Sequence, residues 1–182
     1  APTTLNSLMH SPEDHYLHWM PVSIIRLFRF IGSFSALTLP AVYISLVSYH
    51  PEMIPAELAL RIAATRQGIP FPAVTEAFIM ELALDFLREA GVRLPGPIGQ
   101  TIGIVGGIII GDAAVRAGGV SPIMVIIVAV TAISSFLIPT YSFTLTVRNL
   151  RFGLMILAAL LGLFGLILGL LIILIHLATI KS

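Results

Sequence analysis

The sequence predicts an all-α, polytopic membrane helical bundle, with four spans plus one amphipathic or partly inserted helix. Three observations carry that prediction. Hydrophobic residues make up 57% of the 182 and charged residues only 10%, where a soluble domain carries roughly 25% charged residues. Mean hydropathy is +1.01. The few charges are also segregated: Phe30–Tyr49, Leu94–Gly111 and Ala117–Val147 hold none, nor do the twenty-four residues between Arg151 and His176. At about 1.5 Å per residue, the last of these exceeds the ~30 Å hydrocarbon core of a bilayer as a helix.

Each element has its own justification. Residues 1–21 predict a juxtamembrane surface helix. Within them Ser11 suits an N-cap, Pro12 the first helical position and Glu13 and Asp14 the positive helix end, while Tyr16 and Trp19 suit an interfacial aromatic belt. Pro21 is expected to bend the chain into span one, residues 22–48. Arg26 and Arg29 snorkel at its start and Pro40 predicts a kink. Residues 56–67 read as a short helix at the membrane surface.

Residues 73–90 form the helix of most interest. It is apolar enough to enter the membrane, yet carries Glu76, Glu81, Asp85, Arg88 and Glu89. At ~100° per residue, Glu81, Asp85, Arg88 and Glu89 fall in one sector, with Glu76 opposite and Phe78, Ile79, Leu82 and Phe86 forming an apolar face. Gly91 supplies a stop signal.

Span two, residues 98–115, begins after Leu94-Pro95-Gly96-Pro97. Gly99, Gly103, Gly107 and Gly111 recur at every fourth position, a ridge on which another backbone can approach closely. Gly118-Gly119 ends it. Ser121-Pro122 caps span three, residues 121–137, and Pro139 breaks it. Tyr141–Leu150 reads as a connector holding Arg148. Span four, residues 152–175, has a second small-residue path in Gly162, Gly165 and Gly169. Residues 22–182 are thus one transmembrane domain. Counting arginines leaves two topologies: with four spans Arg61, Arg66, Arg88, Arg93, Arg148 and Arg151 share one side, and with 73–90 as a fifth span Arg26, Arg29, Arg88, Arg93, Arg148 and Arg151 do, the second putting the amino end on the arginine-rich side, as expected of a cytoplasmic terminus. The chain begins without Met and reads as part of a longer protein.

The charges suggest few chemistries. There is no cysteine, which removes disulfides, cysteine-rich zinc sites and cysteine nucleophiles. Ten basic residues scattered singly form no nucleic-acid footprint. No catalytic triad, phosphate loop, metal or cofactor motif is legible, so no enzyme is expected. Glu81, Asp85 and Glu89 could line a cation path, or simply form the wet face of an interfacial helix. Asp112 lies four residues before Arg116, at the spacing of a helical ion pair. An ionisable group at membrane depth can instead face a pore. Gly99, Gly103, Gly107, Gly111, Gly165 and Gly169 are candidate packing positions, within one chain or between copies.

Six segments taken in order resemble the A subunit of the spore germinant receptor (GerA) family. They are MHSPEDHY at 9–16, YHPEMIP at 49–55, IPFPAVTEAFIMEL at 69–82, REAGVRLPGPIGQTIGIVGGIIIGDAAV at 88–115, VSPIMVIIVAVTAISSFLIPTY at 120–141 and LRFGLMILAALLGLFGLILGLLIILIHL at 150–177. The resemblance covers essentially the whole chain and matches the family's membrane domain. It implies an inner-membrane protein of bacterial endospores that acts with a transporter-like B subunit, which holds the nutrient, and a lipoprotein C subunit. It also implies a homo-oligomer in the lipid bilayer, forming a nutrient-gated cation channel. The alternative is a non-conducting scaffold that couples the B subunit to other machinery. A secondary transporter would show interrupted repeats, and no convincing repeat is present.

Overall fold

A computed structural model describes residues 19–93 and 96–179, with residues 19, 92–93 and 96–105 as backbone only. Six α-helices occupy the described residues, and no strand: α1 Trp19–Tyr49, α2 Ala56–Thr65, α3 Ala73–Arg93, α4 Gly96–Arg116, α5 Pro122–Phe136 and α6 Tyr141–Thr179, with a 3-10 turn at Pro51–Met53. The all-helical class stands. Among the described residues, α1 and α6 are long and apolar enough to cross a membrane by length and composition. The apolar α5 has 15 residues, about 22 Å as a helix, and falls short of the ~30 Å core. Four full-length spans are therefore not established. The expected surface helix before residue 19 lies outside the described residues.

The chain divides into two compact units, residues 1–45 with 130–182 and residues 46–129. In the first, α1 runs without interruption through Pro21 and Pro40. Pro21 falls in its first turn, where no intrahelical donor is lost, so α1 begins before this proline rather than after it. The Ser33 and Thr38 hydroxyls donate to the carbonyls of Arg29 (2.7 Å) and Phe34 (2.8 Å). Polar groups on an otherwise apolar helix are thus satisfied within it. Gly32 admits Leu137 so closely that a Cβ there would lie 2.5 Å from Leu137 Cδ1. Ala36, Ile138 and Val147 are buried together, with Leu37 and Phe143 packed against them.

One expectation about the carboxyl-terminal part fails. Tyr141–Leu150 is not a connector but the first part of α6. Within span four, Gly162 has φ 62° and ψ −139°, a conformation that favours glycine. A Cβ on Gly165 would strike the Leu157 carbonyl, and one on Gly169 would strike the Leu154 side chain. In a straight helix residues 154 and 169 lie about 22 Å apart. The helix therefore doubles back at Gly162, and Gly165 and Gly169 form the seam between its arms.

In the second unit α3 and α4 form a hairpin. α3 continues through Gly91 to Arg93, so Gly91 is not its stop. Leu87 packs on Gly106, where a Cβ would come within 2.7 Å of Leu87 Cδ2. α4 ends as expected: Gly118 has φ +66°, its N–H donates to Val115 O (3.0 Å), and Gly119 N–H donates to Ala114 O (2.9 Å). This is a Schellman cap, which satisfies carbonyls that the helix end orphans.

Candidate functional site

The site builds from α3. Its buried positions are Ala73, Glu76, Ala77, Met80 and Glu81, a spacing that keeps them on one helical face. Ile79, Leu82 and Phe86 are exposed. The amphipathicity of this stretch is inside-out: Glu76 and Glu81 face inward, and Ile79, Leu82 and Phe86 face outward.

Glu76, placed opposite the acidic sector by the sequence reading, belongs to this buried face and is fully covered, at 0% exposure. Its Oε1 lies 3.1 Å from Arg66 Nη2. Its Oε2 accepts a 2.8 Å hydrogen bond from the Ser121 N–H. Ser121 Oγ in turn accepts from the Met124 N–H at 3.3 Å, an N-cap for α5 with Pro122 at the first helical position. In a capping box a carboxylate three residues into the helix satisfies the cap's own N–H; here Glu76 does so from another helix. One carboxylate therefore joins the end of α2, the start of α3 and the start of α5.

Arg66 also borders a cavity of about 420 Å³ whose other lining residues include Val47, Ser48, Pro51, Ile62 and Pro72. Sequence reasoning missed the Arg66–Glu76 pair. The only available signal was a lone carboxylate at the start of an apolar helix, ten residues after a lone arginine, a separation that does not imply contact.

The candidate pathway acids are graded along α3. Glu81 is buried at 1% exposure, Asp85 half-buried and Glu89 exposed. All three, and Arg88, make polar or electrostatic contacts. Asp112 lies on α4 and pairs with Arg116, Oδ2 to Nε 2.9 Å, with both side chains largely exposed. Among the candidate packing glycines, Gly99 and Gly103 lie in the part of α4 outside the described side chains. A Cβ on Gly111 would touch Val125 at 3.4 Å, and one on Gly107 would meet open space. Among the described glycines of α4, the tight contact within the chain falls on Gly106, beside the ridge. Among the described residues, no three His, Asp or Glu side chains converge as a metal site would require.

The family model of the Bacillus/Clostridium GerA spore germination protein matches residues 1–182. The chain belongs to the GerA family. Its relatives include spore germination protein B1 of Bacillus subtilis (strain 168), 46% identical over 182 residues, which is 100% of this chain and 38% of the relative. Spore germination protein A1 of the same organism is 50% identical over 177 residues, 97% of this chain and 37% of the relative. The uncharacterized membrane protein YfkQ, also of Bacillus subtilis, is 47% identical over the whole chain and 36% of its own length. The chain thus spans a little over a third of these GerA-family relatives. No solved structure matches it.

Proposed function

We propose that this chain is the membrane domain of a germinant-receptor A subunit, and that copies assemble in the spore inner membrane into a nutrient-gated cation channel that triggers germination. The observation that carries the reading is the inside-out face of α3. A helix on a water-soluble surface buries its apolar stripe and exposes its charges. α3 buries Glu76 and Glu81 and exposes Ile79, Leu82 and Phe86, as suits a helix with hydrocarbon on one side and protein or water on the other. Ionisable groups inside a membrane face the bundle interior or a water-filled cavity.

The remaining features agree with this. The series Glu81, Asp85, Glu89 runs from buried to exposed, as a path leading inward from an acidic mouth would. α4 and α5 join α1 and α6 in the membrane, and this helix set is too small to enclose a wide pore alone. The open face at Gly107 offers a place for a second backbone. A transporter-like B subunit, which holds the nutrient, and a lipoprotein C subunit complete the receptor. A non-conducting coupling role is favoured by one observation, the 1% exposure of Glu81 within a single chain.

Cation flux decides between the two. In the full receptor reconstituted into vesicles, E81Q/D85N should lower cation flux and weaken cation preference while subunit assembly is unchanged. Unaltered flux and preference in the double variant would remove α3 from the pathway and leave the coupling role.

A further inference from the structure

We infer that α6 enters and leaves the bilayer on the same side, as a hairpin with Gly162 at its apex, rather than crossing as one rod. The inference rests on the membrane placement proposed above, not on channel activity.

The doubling back is fixed by the contacts of Gly165 with Leu157 and of Gly169 with Leu154. A cavity of about 340 Å³ farther along the seam is lined from both arms, by Asn149, Leu150 and Gly153 on one and Ile172 and Ile173 on the other. The pairing of 157 with 165, 154 with 169 and 149–153 with 172–173 is that of antiparallel arms. Both ends of the hairpin therefore point the same way.

The outer surface identifies the partner as bilayer hydrocarbon. Leu160, Phe164, Ile167, Leu171 and Leu174 are exposed, while Leu154, Met155, Ala158 and Leu166 are buried. No charge lies between Arg151 and His176. From Arg151 to the apex is about 16 Å of helix, and from the apex to His176 about 21 Å. Each charge-free arm reaches past the middle of a ~30 Å core without crossing it. Backbone that departs from a helix at membrane depth is tolerated only where protein covers it, and Gly162 is buried. The sequence between Arg148 and His176, which by length alone carries the chain across, returns it to the arginine side.

Cysteine accessibility tests this, helped by the absence of cysteine from the chain. Single variants Ser142→Cys, Phe164→Cys and Thr179→Cys, all at exposed positions, are placed in the full-length subunit with any other cysteines removed. Sealed vesicles of known orientation are treated with a membrane-impermeant maleimide. The hairpin requires Ser142→Cys and Thr179→Cys to label from the same side. Phe164→Cys should be protected until detergent is added. Labelling of positions 142 and 179 from opposite sides would overturn the hairpin while leaving membrane placement intact. Labelling of Phe164→Cys as readily as Ser142→Cys, from the same side, would place the apex in water and overturn the insertion and the membrane placement together.

Discussion

Glu76 illustrates how one residue can organise a helical unit, since its carboxylate meets three helices at once. A buried carboxylate is costly unless paired and hydrogen-bonded, and Glu76 has both an arginine and a backbone donor. Breaking such a pair from one side leaves an uncompensated charge. Glu76→Gln should therefore destabilise the protein by about 3 kcal/mol, at the low end for buried pairs, because the Arg66 side chain keeps some solvent access. Thermal unfolding in detergent measures this. Removing both charges in Arg66→Met/Glu76→Leu should recover part of the loss, and a double-mutant cycle with no coupling would show that the pair contributes nothing.

At the scale of elements, neighbouring glycines on α4 have different duties. Gly106 packs within the chain against Leu87, while Gly107 looks into open space. Gly106→Leu should separate α3 from α4 and lower the thermal stability of the isolated subunit. Gly107→Leu should leave that stability unchanged and reduce the yield of cross-linked oligomers, since a side chain there holds a second backbone away. Equal oligomer yields in Gly107→Leu and the parent would mean that this face meets lipid. The sequence showed a regular ridge but not which glycine a neighbouring helix uses, because that choice depends on the rotation of α4 against α3.

For the whole molecule, the proposed pore requires several copies. Conductance should therefore disappear when the receptor is dispersed to single protomers and reconstituted at fewer than one protomer per vesicle. It should return when the same vesicles are fused to raise the number of copies. Flux at full unit strength from isolated protomers would place the path inside one chain and remove the need for assembly.

Local signals carried much of the architecture. Charge-free runs, the Ser121-Pro122 start and the Gly118-Gly119 stop are read within a few residues, and the structure places α1, α4 and α5 close to them. Residues 81, 85 and 89 share a face because four residues make about one turn. Three things were settled only by the tertiary structure. Glu76 found Arg66 and Ser121, a contact spanning 45 residues in the Ser121 case, and no periodicity encodes such a pairing. α3 turned Glu76 and Glu81 inward, since hydrophobic patterning states that two faces differ but not which one meets protein. The run from Phe152 to Ile175 folded on itself: the small residues Gly162, Gly165 and Gly169 suit close packing, but only the conformation of Gly162 made the partner the other half of the same helix.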